Sequence, residues 1–187
     1  MNLTKISMKV MQKDMITIIS SLKKNTIDYY LECLGINCKY YYNANGKPLL
    51  NDSNLFISKT NKKKIELFAI SNKEIGIDIE IKKGFPLSLD EIKNFFNLHI
   101  LYVNDGNYFF ENSCKIWTIL EAYTKFSNKR LYDLRKKENV IIFNNNDEGL
   151  INDIEFRCFS NYKYIFTIVQ KDTIKERDIK YETWNYM

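Results

Sequence analysis

The sequence predicts an α+β fold. Two observations carry this: helical and strand-like segments are segregated along the chain rather than alternating, and the strand-like runs are short and separated by turns, as antiparallel pairing requires. Composition is the third observation. The chain has 187 residues, 45% hydrophobic and 27% charged, enough for one large or two small domains around a real core. Tyr (13) and Phe (12) are abundant while Gly (6) and Pro (2) are scarce, which argues against a loop-rich scaffold or an extended disordered chain.

The elements follow in order. Asp14 is positioned to cap a helix whose apolar positions Met15, Ile18, Ile19, Leu22, Tyr30, Leu31 and Leu34 recur at three and four, with Asn25-Thr26 as a break point and Gly35 as a stop. Strands are expected at Lys39–Tyr42, Leu55–Thr60, Lys64–Ile70 and Ile75–Ile81, with a turn at Asn43-Ala44-Asn45-Gly46. Ser88-Leu89-Asp90-Glu91 fits a capping box that opens a short helix to Phe96, and a longer helix is expected over about Phe110–Phe126. The remainder reads as antiparallel strands at Asn139–Phe143, Ile151–Phe159 and Lys163–Gln170, with a turn at Asn144–Gly149.

Several function classes are disfavoured. Cys33, Cys38, Cys114 and Cys158 form no C-x-x-C pair and His99 is the single histidine, so a structural zinc site has no ligand pattern. The N-terminus alternates Lys with apolar residues and lacks the continuous apolar core of a secretory signal. No apolar run approaches the roughly 20 residues of a membrane span, so a reduced, cytoplasmic protein is expected. The net charge of +5 comes from basic residues interspersed with acids rather than gathered in a stripe, which disfavours nucleic acid as a partner. A Ser-His-Asp hydrolase would rest on His99 alone, without a nucleophile elbow.

Two motifs carry chemistry. In Ile75–Ile81 the alternation places Ile77, Ile79 and Ile81 on one face and Asp78 and Glu80 on the other, roughly 6–7 Å apart. Like charges at that spacing repel by roughly 2–3 kcal/mol at an effective dielectric near 20, so the face is either wet or carries something positive. On the long helix, Trp117, Glu121 and Lys125 share one face at i, i+4 and i+8, opposite Ile116, Leu120 and Tyr123. Glu121 and Lys125 are also an ordinary helix-stabilising pair, and Asp153-Ile154-Glu155 repeats the D-x-E pattern on another expected strand.

GIDIE (Gly76–Glu80) followed about forty residues later by WTILEAYTK (Trp117–Lys125) resembles the Sfp-type 4'-phosphopantetheinyl transferases. Gly46-Lys47-Pro48 matches that family's G-K-P turn, Ile57-Ser58-Lys59-Thr60 falls where it has an N-[IL]-S-H-[ST] strand, and Pro86–Phe96 is similar to its short helix after GIDIE. The resemblance covers roughly Tyr40 to Leu134.

The resemblance implies two pseudo-symmetric α+β halves, 1–74 and 75–187, with the site in the cleft between them, in a monomer built as a pseudo-dimer. The second half would dock the carrier protein. The implied reaction moves the 4'-phosphopantetheine arm of coenzyme A to a serine of an acyl or peptidyl carrier protein and releases 3',5'-ADP. Asp78, Glu80 and Glu121 would hold Mg²⁺, whose preference for oxygen donors they suit. Glu121 would accept the serine proton, Lys125 would face phosphate oxygens, and Lys47, Ser58 and Lys59 would touch the CoA nucleotide. Net positive charge suits both polyanionic CoA and an acidic carrier.

The chain departs from the family in four places. Lys59 stands for the family's His, Leu120 for the Lys before the helix Glu, and Asn128-Lys129-Arg130-Leu131 for a G-K-G-L turn; only Lys23 and Lys24 offer a basic segment before the G-K-P turn. Leu120 is expected at the rim of the cleft, and Lys62-Lys63-Lys64 in a solvated hairpin turn. The alternatives are a non-catalytic member that binds CoA or a carrier, and an unrelated Mg²⁺-dependent phosphoryl enzyme.

Overall fold

The computed structural model describes residues 16–22, 26–51, 53–103, 113–145, 147–171 and 179–184. Its first sheet holds β1 (Ile16–Ser21), β4 (Phe56–Lys62), β5 (Ile65–Ser71) and β12 (Ile179–Trp184) in the order β12-β1-β5-β4. β2 (Tyr40–Tyr42) and β3 (Pro48–Leu50) form a separate hairpin across the Asn43–Lys47 turn. The second sheet has six strands in the order β6-β11-β10-β9-β8-β7. They are β6 (Ile75–Ile81), β7 (Leu98–Tyr102), β8 (Asn139–Phe143), β9 (Glu148–Ile151), β10 (Ile154–Ser160) and β11 (Tyr164–Gln170). Pairing is antiparallel except for β1 with β12 and β7 with β8.

Three apolar clusters order the layers. α1 (Ile27–Cys33) covers one face of the small sheet through Ile27, Tyr30 and Leu31 on Ile19, Ile57, Phe68 and Ile70. The other face packs on the large sheet, with Ile16, Ile18, Leu67 and Ala69 against Ile75, Ile77, Ile79 and Ile168. α2 (Leu89–Phe96) and α3 (Ser113–Phe126) then cover the far face of the large sheet, where Ile92, Phe96, Ile119, Leu120, Ile141 and Phe156 meet. The order is therefore helix, sheet, sheet, helices, the α+β class the sequence predicts.

The cap signal at Ser88 was accurate. Ser88 Oγ accepts from the Glu91 amide at 3.2 Å and Glu91 returns a bond to the Ser88 amide at 2.8 Å, the capping box that starts α2. Strands β6 and β8 have the expected bounds.

The helix expected from Asp14 is a correction. Asp14 and Met15 lie outside the described residues, but Ile16–Ser21 is a strand, and the helix begins only after Thr26, whose hydroxyl caps the Tyr29 amide at 3.2 Å. The physical reason is double burial. β1 lies between β12 and β5, with Ile16 and Ile18 in the core between the sheets and Ile19 under α1. A strand buried on both faces loses period-two alternation, so its isoleucines imitate a helical stripe.

The strand expected over Ile151–Phe159 is also corrected. Asn152 and Asp153 both take positive φ (46° and 67°) and form the two-residue turn between β9 and β10. Asp153 therefore sits in a turn, and Asp153-Ile154-Glu155 does not reproduce the strand geometry of Asp78-Ile79-Glu80.

One glycine fixes how α3 sits. Gly76 lies on the same face of β6 as Asp78 and Glu80, and a Cβ there would collide with the Ala122 carbonyl oxygen and the Phe126 backbone nitrogen. The helix backbone thus rests directly on the strand. Gly76→Ala should lower stability by ~3 kcal/mol, read by denaturant unfolding, because neither backbone can yield separately. A variant as stable as the parent would contradict this packing.

Candidate functional site

Strand β6 is at the edge of the large sheet and β4 at the edge of the small one, and the two edges lie side by side. Alternation along β4 turns Ser58, Thr60 and Lys62 toward β6. The Ile77 amide donates to Ser58 Oγ at 3.1 Å, Thr60 Oγ1 donates to Asp78 Oδ1 at 2.8 Å, and Lys62 Nζ lies 2.6 Å from Glu80 Oε1. From the helix side, Lys125 Nζ reaches the same Asp78 Oδ1 at 2.6 Å. Glu80 Oε2 accepts from the Ile81 amide at 3.3 Å.

The face carrying Asp78 and Glu80 is neither wet nor bare. All seven residues of β6 are buried, with Asp78 at 5% and Glu80 at 8% exposure. Two ammonium groups sit on the paired carboxylates, and this is the positive charge that their mutual repulsion calls for. Such partly buried pairs combine Coulomb attraction with hydrogen bonding, and removing one partner strands the other.

Along α3, Trp117, Glu121 and Lys125 are half-buried on one face, while Ile116, Leu120 and Tyr123 are in the core. Residues 104–112, which include the expected helix start at Phe110, lie outside the described residues. Leu120 is a correction, because it is fully buried at 0% exposure rather than at the cleft rim. Nine of the 14 residues of α3 are buried, since β6, β11 and α2 all pack around it, so a position about 60° from Trp117 is already inside. Leu120→Lys should destabilise the fold by about 3–5 kcal/mol, seen as a large drop in melting temperature. An unchanged melt would return Leu120 to the rim.

The Glu121 carboxylate takes no hydrogen bond from a described residue. Burial holds its pKa above the ordinary range, the charge of Asp78 and, less strongly, of Glu80 raises it further, and Lys125 and Lys62 oppose the shift. A raised carboxyl favours the protonated form in the fold. Ionised Glu121 therefore costs stability at neutral pH, and the cost vanishes as pH falls below its unfolded-state value. Glu121→Gln should raise the melting temperature at neutral pH, and the gain should fade toward about pH 4. A gain that does not change with pH would contradict the shift.

Beside the carboxylates is a cleft of about 180 Å³ lined by Asn45, Gly46, Lys47, Pro48, Ser58, Lys59, Thr124, Lys125, Asn128 and Lys129. It is assembled by docking the Gly46-Lys47-Pro48 turn on the end of α3. Asn43 Nδ2 donates to Asn128 Oδ1 and Asn45 Nδ2 to the Asn128 carbonyl, both at 2.7 Å, while Asn128 takes positive φ (54°). Lys47 Nζ donates to the Phe126 carbonyl at 3.0 Å, a cation at a helix C-terminus. Burial lowers the Lys47 pKa, and Glu74 opposes that shift.

Lys47, Ser58, Lys59 and Lys125 are thus gathered around one cleft, each with an internal partner. Ser58 holds the Ile77 amide, and Lys59 Nζ lies 3.1 Å from the buried Glu66, which also accepts from Tyr30 OH at 2.7 Å. Lys23 and Lys24 lie outside the described residues.

Asp78, Glu80 and Glu121 are an oxygen-only donor set, the chemistry a hard divalent cation takes. In the present side-chain arrangement, however, no group of three or more His, Cys, Asp and Glu among the described residues is disposed to hold a metal ion. Lys62 and Lys125 take the carboxylate oxygens instead. Sequence reasoning placed Lys62 in a solvated turn and gave Thr60, Asn45, Asn128 and Lys129 no role at the site. Lys63 and Lys64 are exposed in the hairpin turn as expected, but Lys62 is the last residue of β4 and folds onto Glu80. The Ser58-Thr60-Lys62 alternation was the signal that could have found it.

A second, mostly apolar groove of about 660 Å³ runs between α2 and α3, lined by Leu87, Glu91, Ile92, Asn94, Phe95, Phe96 and Trp117. Trp117 stands one helical turn from Glu121, so groove and carboxylates share a ridge of α3. Cys33, Cys38, Cys114 and Cys158 are free thiols, and burial pushes Cys114 and Cys158 up to about 12, so neither is a nucleophile at neutral pH. No helix among the described residues is long and apolar enough to cross a membrane. No protein-family model matches the chain, and no curated protein matches it.

Proposed function

We propose that the chain is a Mg²⁺-dependent 4'-phosphopantetheinyl transferase that acts on a carrier protein in the cytoplasm. One observation carries the reading. Four motifs spread over about eighty residues, Gly46-Lys47-Pro48, Ile57-Ser58-Lys59-Thr60, Gly76–Glu80 and Trp117–Lys125, converge on one seam between the two sheets, with a lysine-rich cleft beside buried carboxylates. In this reading the halves are 1–74 and 75–187, the first a sheet covered by α1 and the second a sheet covered by α2 and α3. β12 crosses back to complete the first half.

The chemistry assigned to the site is phosphoryl transfer. The serine oxygen of the carrier forms a bond to the phosphorus that bears pantetheine, the bond from that phosphorus to the bridging pyrophosphate oxygen breaks, and 3',5'-ADP leaves with the electron pair. Glu121 accepts the serine proton, a role that suits a carboxylate whose pKa is raised by burial and by like charges. Lys125, at the junction of cleft and carboxylates, faces the pyrophosphate, while Lys47, Ser58, Lys59 and Lys129 border the nucleotide. Asp78, Glu80 and Glu121 would hold magnesium, which when bound supplies neutralisation of phosphate charge. The apolar groove next to Trp117 is the surface for the carrier.

A second reading has two observations in its favour. Asp78 and Glu80 are already neutralised by Lys125 and Lys62, and buried Leu120 replaces the family's lysine, as suits a member that binds CoA or a carrier without turnover.

Incubation with CoA, Mg²⁺ and a panel of apo-carrier proteins, read by intact mass, separates the two. The proposal predicts a gain of one phosphopantetheine arm on at least one carrier. Asp78→Ala or Glu121→Ala should lower the rate by about 100-fold or more, and Asp153→Ala should leave it near the parent value. CoA binding without modification of any carrier would favour the second reading.

A further inference from the structure

We infer that the Lys62 ammonium is a tethered counter-ion of Glu80, and that a divalent cation at Glu80 competes with it. The inference rests on the reading of Asp78, Glu80 and Glu121 as a cation site.

Three observations carry it. Lys62 Nζ is 2.6 Å from Glu80 Oε1, and the other carboxylate oxygen accepts from the Ile81 amide at 3.3 Å, so Glu80 has no oxygen without a contact. Lys62 does not line the basic cleft, whereas Lys125 does. The two lysines therefore differ: Lys125 stands between carboxylate and anion pocket, and Lys62 serves the carboxylate alone. Finally, Lys62 ends β4 next to an exposed two-residue turn and its side chain is 41% exposed, against 10% for Glu80. The lysine can swing into water on its flexible stem while the glutamate stays with β6.

The charge balance gives the swap its logic. Asp78 and Glu80 are each matched by one ammonium, Lys125 and Lys62. With Lys62 in place the buried seam is nearly neutral without any metal, which stabilises the joint between the sheets. Lys62 thereby sets the metal affinity of the site.

The test uses Mn²⁺ as the probe and leaves catalysis aside. Mn²⁺ binding, followed by loss of the free-ion electron paramagnetic resonance signal, should be about five- to tenfold tighter in Lys62→Met than in the parent, because a competing cation is gone. Equal affinities, both lost in Asp78→Asn, would overturn the role of Lys62 and leave the cation site standing. Failure of both proteins to bind Mn²⁺ would overturn the cation site as well. Trace acetylation of the parent protein with acetic anhydride, mapped by mass spectrometry, avoids any folding defect of the variant. Saturating Mn²⁺ should raise labelling of Lys62 several-fold and leave Lys63 and Lys64 unchanged; unchanged Lys62 labelling would overturn the inference.

Discussion

The structure depends on the contact between two sheet edges. An edge strand presents unpaired amides and carbonyls, and here β4 and β6 resolve that problem with side chains rather than with a continuous ladder. Ser58 receives the Ile77 amide, and one and two pleats further on, Thr60 and Lys62 meet Asp78 and Glu80. Polar contacts run along the seam while Ile75, Ile77 and Ile79 on the adjoining face are sealed against Ile16, Ile18 and Leu67. The joint between the sheets and the charged site are the same few residues.

Helix α3 ties the remaining parts to that seam. Gly76 lets its backbone touch β6, so Lys125 reaches Asp78, and its C-terminal carbonyl at Phe126 receives Lys47 from the other half of the chain. The Asn43–Lys47 turn then locks onto Asn128. Strand edge, helix and turn therefore constrain one another, and they close a basic cleft against a buried acidic pair.

Much of this was legible in the sequence where a local rule acts alone. The Ser88 capping box, the alternation of Ile75–Ile81 and the i, i+4, i+8 face of Trp117, Glu121 and Lys125 all survive in the fold. What was not legible depends on tertiary neighbours. Ile16–Ile19 imitate a helix because β1 is covered on both faces, and Leu120 is buried because β6, β11 and α2 all pack around α3. Lys62 sits in a run of three lysines, and the alternation of Ser58 and Thr60 reaches it only because β4 runs on to Lys62, two residues past the expected strand end.

The seam could be an ion-pair joint alone or a joint that also binds a polyanion, and the difference lies in the cleft next to it. Lys47, Lys59, Lys125 and Lys129 border that cleft, with the first two held by Phe126 and Glu66. A calorimetric titration of CoA into the full-length protein tests this most directly. The account predicts saturable one-to-one binding that weakens with rising salt and again in Lys125→Met, since the attraction is largely between charges. Absence of saturable heat up to about millimolar CoA, or binding indifferent to salt and to Lys125, would contradict it.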